Sequence, residues 1–208
     1  MKAFLRNNGL SIVLLSLFVL FLAGQSWAGW ADYNHERRDH GEPAIGYATY
    51  LGSPEFFEAM FENWESEFLQ MGLFVLLTAV LYQKGSAESH KIPADRPRSA
   101  GSKRRRGWRR RLYEHSLSLT LLFLFAVSFA GHAVSGCGAY NREQLRHGDP
   151  PMSVFGYLGT ARFWFESLQN WQSEFLSIGA IVILSIFLRE KGSSQSKEVD
   201  APHSQTGT

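Results

Sequence analysis

A single cysteine, Cys137, stands among the 208 residues. No intramolecular disulfide can form, and no group of thiolates is available to hold a metal. At the end of an apolar block, Cys137 reads as a packed small residue. The short signatures of common chemistries are missing as well: there is no HExxH, no GxSxG, no phosphate-binding P-loop and no clustered acid pair beside a nucleophile. No enzymatic activity and no cofactor are expected on that ground. Evenly spread hydrophobicity is also lacking. The chain averages out like a soluble protein, yet its apolar residues gather in four blocks, 10–30, 68–82, 117–137 and 175–188, with strongly polar segments between them.

The first and third blocks, about 21 residues each, suffice to cross roughly 30 Å of hydrocarbon at 1.5 Å per residue. The second and fourth, about 15 residues, are short until their helical, aromatic-rich flanks "FFEAMFENWESE" and "FWFESLQNWQSE" are counted in. Each then reaches through core and headgroup layers. The start of the chain also fits a secretory signal, with a basic n-region, an apolar h-region and Ser26-x-Ala28. An equivalent stretch, "LSLTLLFLFAVSFAGHAVSG", lies mid-chain where no signal can be, so the first helix is expected to be retained.

Sliding the chain by 107 residues aligns 5–89 with 112–196 without a gap, and about 34 of 85 positions are identical. This reads as two copies of one helical hairpin, parallel and related by a pseudo-two-fold axis along the membrane normal. Parallel repeats differ from the inverted ones of many alternating-access transporters. The expected fold is an all-α integral membrane protein with four transmembrane helices as two tandem hairpins. Repeat 1 is 1–89, with spans about 9–30 and 61–83. A polybasic linker (90–111) leads to repeat 2 (112–192), with spans about 116–137 and 168–190. A disordered tail, 193–208, follows.

About 16 of the 21 Lys and Arg lie in the N-terminus, the central segment and the tail. The positive-inside rule then places both termini and the linker in the cytoplasm, with 31–62 and 138–169 on the far side. Lys103, Arg104, Arg105, Arg106, Arg109, Arg110 and Arg111 crowd around Trp108. Next to a span, such a run reads as a contact for anionic lipid headgroups, at roughly 1 kcal/mol per basic residue. Nucleic acid is not expected as a partner, since topology already demands positive charge here.

Helix ends are marked. Ser53 with Pro54, and Thr160, are N-cap candidates. Lys84-Gly85 and Lys191-Gly192 offer a final cation and a glycine for a left-handed residue. The pairs Gly24/Ala28 and Gly131/Ser135 permit close backbone approach. Trp27, Trp30, Trp64, Trp164 and Trp171 fall where an interfacial aromatic belt belongs.

"NWESEFL" (63–69) and "NWQSEFL" (170–176) place polar residues at the threshold of an apolar helix, twice. At 100° per residue, Asn63, Ser66, Glu67 and Gln70 share one stripe, and Asn170, Ser173, Glu174 and Ser177 repeat it. Glu62 and Glu65 sit off the stripe and become Gln169 and Gln172 in the second copy. Two accounts compete for the shared carboxylate. In one, Glu67 and Glu174 snorkel outward to water, with Asn63 and Asn170 one turn nearer the surface. In the other, they face each other near Gln25 and His132 and form a proton or cation site.

The segments "YNHERRDHGEP" and "YNREQLRHGDP" repeat a second constellation. Glu36 and His40, like Glu143 and His147, are four apart on one helix face. Together they offer a ligand set for a divalent transition metal. The simpler alternative has each His closing a helix C-terminus ahead of Gly41 or Gly148.

At "NWESEFLQMG…LYQKGSAES", "NWQSEFLSIG…FLREKGSSQS" and the paired "YN-E…HG-P" segments, the chain resembles a family of uncharacterised bacterial multi-pass membrane proteins, classed only as a domain of unknown function. The resemblance implies a bacterial plasma-membrane setting and supplies no activity or site residue. The favoured expectation is a non-enzymatic component of that inner membrane, both termini cytoplasmic, that self-associates or binds a membrane partner. The alternative is a small proton- or cation-linked transporter or channel using Glu67 and Glu174. An outward-facing metal enzyme using the Glu/His pairs is the third.

Overall fold

The computed structural model describes residues 2–90 and 107–207, and among them there is no strand. Long helices dominate: α1 (Lys2–Asp39), α3 (Pro54–Val80), α5 (Ser116–His147) and α7 (Ala161–Phe187), with short α2 (Tyr47–Leu51), α4 (Trp108–Glu114) and α6 (Val154–Tyr157) between them. Three are long and apolar enough to cross a membrane, over Asn7–Asp39, Ser116–His147 and Ala161–Phe187. Their side chains explain why a membrane is needed: Leu10, Leu15, Phe21, Phe123, Leu176 and Ile183 all lie open. In water such continuous apolar faces would drive aggregation; in lipid they are solvated. This is the signature of a membrane protein. α3 does not join these three, because Glu55, Glu58, Glu62, Glu65 and Glu67 crowd its first half.

The N-caps are those the sequence marks. Pro54 opens α3 behind Ser53, whose Oγ accepts from the Phe56 N–H at 3.3 Å. Thr160 Oγ1 accepts from the Phe163 N–H at 3.3 Å at the head of α7. α1 and α5 run about nine or ten residues beyond their expected outer ends, into the polar segments. Each stops at a left-handed glycine, Gly41 (φ 73°) or Gly148 (φ 83°). The Glu42 N–H reaches Arg37 O at 2.8 Å, and the Asp149 N–H reaches Gln144 O at 2.9 Å. These are Schellman closures, which satisfy carbonyls that would otherwise be stranded. At the other end, α3 and α7 stop at Val80 and Phe187, three residues short of the expected boundaries. Gly85 (φ 87°) and Gly192 (φ 84°) are left-handed, but inside the turns that follow.

Two compact units divide the chain: 1–60 with 134–151, and 61–133 with 152–207 among the described residues. In the first, Trp27, Trp30 and Tyr47 pack ring to ring, with centroids 5.1–5.9 Å apart. Trp30 Nε1 and Asn34 Nδ2 both donate to Ile45 O, and Asn34 Oδ1 accepts from the Ile45 N–H at 2.8 Å. These bonds fold the connection after α1 back against it. In the second unit, α3, α5 and α7 pack together. Gly72 lies against Leu121 and Leu122, and Gly131 lets the Phe61 ring approach so closely that a Cβ would sit 2.7 Å from it.

The tail expected to be disordered forms a run of turns in that second unit. Lys197 is almost fully buried, and its ammonium donates to the carbonyls of Ile186, Pro202, His203 and Gln205 at 3.1–3.4 Å. One cation thus organises backbone that carries no apolar pattern of its own. Of the polybasic run, Lys103, Arg104, Arg105 and Arg106 lie outside the described residues. Arg109, Arg110 and Arg111 stand exposed on α4, where Arg110 pairs with Glu114 at 2.7 Å.

Candidate functional site

His132 sits on α5 in the second unit with no accessible surface. The close seat of Gly131 against Phe61 brings α3 near enough for Glu65 to reach it. Glu65 Oε2 lies 3.1 Å from His132 Nδ1, and Glu65 is itself completely buried. On the opposite edge of the ring, Nε2 is 3.6 Å from Oε2 of Glu166 on α7. The imidazole is thus bracketed by carboxylates from two different helices. With Glu65 ionised, Nδ1–H donates to it.

Each acid is held in turn. Trp171 Nε1 donates to Glu65 Oε1 at 3.2 Å. The Tyr157 hydroxyl donates to Glu166 Oε2, and Arg162 Nε to Glu166 Oε1, both at 2.9 Å. Glu62, one turn before Glu65, accepts from Asn170 Nδ2. Phe163, fully buried, lays its ring beside the imidazole at 4.9 Å between centroids and is boxed by Phe129 and Tyr157. Aromatic walls exclude water and lower the local dielectric, so each charge depends heavily on its partners. Three carboxylates face one imidazole and one guanidinium here. Glu65 and His132 are sealed, while Glu166 and Glu62 are partly open, so the arrangement has an inner pair and an outer rim. An imidazole held between two carboxylates can take up, hold and hand on a proton.

The residues singled out from the stripe fall in several places. Asn63 and Glu67 point away from the buried side, whereas Ser66, Gln70 and the off-stripe Glu65 are buried. Glu174 is half-buried, and the charge of Glu67 is near enough to act on it. Gln70 Nε2 donates to Glu174 O at 3.2 Å and to Ser177 Oγ at 3.4 Å, making a second polar layer. Asn170 and His132 belong to the site. Glu36, His40, Glu143 and His147 are not brought together: among the described residues, no group of three or more His, Cys, Asp or Glu side chains is placed to hold a metal. Glu36 instead pairs with Arg146 at 2.7 Å, and His40 Nδ1 meets Glu36 O of its own helix end at 2.9 Å.

Glu62, Glu65, Glu166, Tyr157, Arg162 and Trp171 are the site residues that the sequence reading passed over. The acids and Arg162 stand where the two aligned stretches differ, whereas Tyr157 and Trp171 recur as Tyr50 and Trp64 and read from sequence only as aromatics. At the 107-residue offset, His132 answers to Gln25, Glu166 to Ala59, and Glu62 and Glu65 to Gln169 and Gln172. Positions where one stretch has a base or an acid and the other a neutral residue carry the signal for His132, Glu62, Glu65 and Glu166.

No curated protein and no solved structure matches the chain. A family profile described as Domain of unknown function (DUF6766) matches residues 1–208, the full length, and the protein belongs to that family.

Proposed function

We propose that this is a proton-linked membrane protein whose working part is the Glu65–His132–Glu166 chain. It stands in the bacterial plasma membrane with both termini cytoplasmic, and α3 is its fourth span beside α1, α5 and α7. The observation that carries the reading is a fully buried histidine, bonded to Glu65 on one ring edge and facing Glu166 at 3.6 Å on the other, the two acids coming from separate apolar-bodied helices. Ionisable side chains at membrane depth are costly and persist where they serve ion or proton movement. Proton exchange would enter by Glu62 and Glu166 on the rim and reach the sealed Glu65–His132 pair behind them. Tyr157, Arg162 and Trp171 position the acids.

Reconstitution in liposomes with an internal pH dye tests this. Wild-type protein should dissipate an imposed pH gradient, or do so when a solute moves with the proton. His132→Gln should abolish that flux while keeping the folded, monodisperse state. Equal flux from both proteins would remove the proton site from consideration.

A second reading, a non-enzymatic component that self-associates, has one observation of its own. Gly24 of α1 has open space where Gly131, its counterpart in the other copy, is filled by Phe61. A small residue left unfilled on a span suits packing by a second helix. Cross-linking through a cysteine introduced at Gly24 in native membranes would capture such a neighbour.

A further inference from the structure

The proton site leaves unexplained a cleft of about 290 Å³ in the first unit, lined by Tyr33, Arg37 and Glu42 together with Arg142, Leu145 and Arg146. That volume lies at the lower edge of ligand-sized clefts, about 300 Å³ upward. Three guanidinium groups converge there from the C-terminal stretches of α1 and α5. Arg37 binds Glu42 at 2.7 Å and Pro43 O at 2.8 Å. Arg146 joins Glu42 at 2.8 Å and Glu36 at 2.7 Å. Arg142 Nη1 serves Glu55 at 2.9 Å and the Tyr33 oxygen at 3.1 Å. Three carboxylates therefore match three guanidinium charges, which lets the cluster stand without a guest. Each arginine nevertheless keeps a terminal Nη2 group with no hydrogen-bond partner among the described residues. Such edges bind phosphate oxygens in pairs, in a geometry that lysine cannot reproduce.

Height along the helix identifies the class of guest. The Trp27–Trp30–Tyr47 cluster marks where α1 leaves the hydrocarbon. At 1.5 Å per residue, Tyr33 lies about 5 Å and Arg37 about 10 Å beyond Trp30, in and just above the headgroup layer. Leu145, on the wall of the same cleft, is an exposed apolar side chain. An oxyanion pocket with an apolar lip at that depth suits the phosphodiester of a lipid.

We infer that this cleft binds the phosphate of an anionic phospholipid headgroup. The inference rests on the membrane placement of α1 and α5 and is independent of the proton site. Full-length protein is equilibrated with vesicles of phosphatidylglycerol or phosphatidylcholine, and retained lipid is counted by native mass spectrometry. Phosphatidylglycerol should be retained at least fivefold over phosphatidylcholine, whose quaternary ammonium the arginines repel. Arg142→Gln should erase the preference. Arg142→Lys keeps a cation for Glu55 and so the fold, but loses the second N–H edge, and should erase most of it too. The polybasic linker is common to all three proteins, so its own lipid binding cancels in the comparison. Inorganic phosphate is the second probe: if it protects the wild type from thermal unfolding while phosphatidylglycerol shows no preference, the lipid assignment is overturned in favour of free phosphate. An unchanged lipid preference in Arg142→Lys overturns the cleft itself.

Discussion

Removing His132 and removing Glu65 are unequal insults. His132→Ala would leave the Glu65 carboxylate sealed behind Trp171 with its main partner gone, a loss of about 3–5 kcal/mol. Glu65→Gln keeps an acceptor for Trp171 and a neutral neighbour for the imidazole, so about 1–3 kcal/mol is expected. Thermal unfolding in detergent should therefore rank wild type above Glu65→Gln above His132→Ala; the reverse order would mean that the pair is not buried as described. Tyr50, outside the spans, gives a pH test. Burial first, then Glu55 and Asp32, raise its phenol above the ordinary 10.0. Above pH 10 the folded chain then holds a proton that the unfolded chain has released. Stability tied to Tyr50 is complete below pH 10 and falls as pH climbs through the raised value. Alkaline difference spectra should show one tyrosinate forming later than the rest, and Tyr50→Phe should remove that late step. At this scale the sequence was only half legible. His132 was visible as a polar residue in a span, but Glu65 was hidden because its counterpart, Gln172, is neutral. Burial there is decided by which helix packs on which face, and a 100° wheel does not contain that information.

Helix positions were legible because caps and apolar runs are local properties. Ser53-Pro54, Thr160 and the glycines Gly41 and Gly148 all mark real ends. The outer extensions of α1 and α5 were not legible. Their polar stretches carry no apolar period and are held by ion pairs between distant residues, such as Arg146 with Glu36 and Arg142 with Glu55. Packing of α3 on α5 turns on Gly131. A methyl group there would lie 2.7 Å from the Phe61 ring. Gly131→Ala should cost about 1–3 kcal/mol by overpacking, and Phe61→Ala in the same chain should recover part of it. Purely additive losses in a double-mutant cycle would show that the two do not touch. Because Gly131 precedes His132, the same substitution should also weaken whatever the histidine does.

For the whole molecule, the apolar blocks are enough to place the chain in a membrane, and three helices meet that description outright. The proposed fourth span, α3, is the exception, since the acids on it that build the site also dilute its hydrophobicity. Reporter fusions after Gln83 and after Ser193 should both be active as cytoplasmic enzymes and silent as periplasmic ones. A periplasmic signal at either would leave α3 or α7 outside the bilayer and undo the four-span arrangement.

Glu65, His132 and Glu166 are proposed to act as one proton-exchanging unit inside a membrane protein. Nitrogen-15 NMR of ring-labelled histidine, with the full chain in lipid bilayers, observes that proton directly. His132 is assigned by its absence from His132→Gln. Its ring-nitrogen shift should titrate as one coupled transition, with a midpoint that moves by about one pH unit or more in Glu65→Gln, a change of about 1.4 kcal/mol. A His132 signal that is flat across the accessible pH range, or one whose titration ignores both Glu65→Gln and Glu166→Gln, would show that the three side chains do not exchange a proton as a unit.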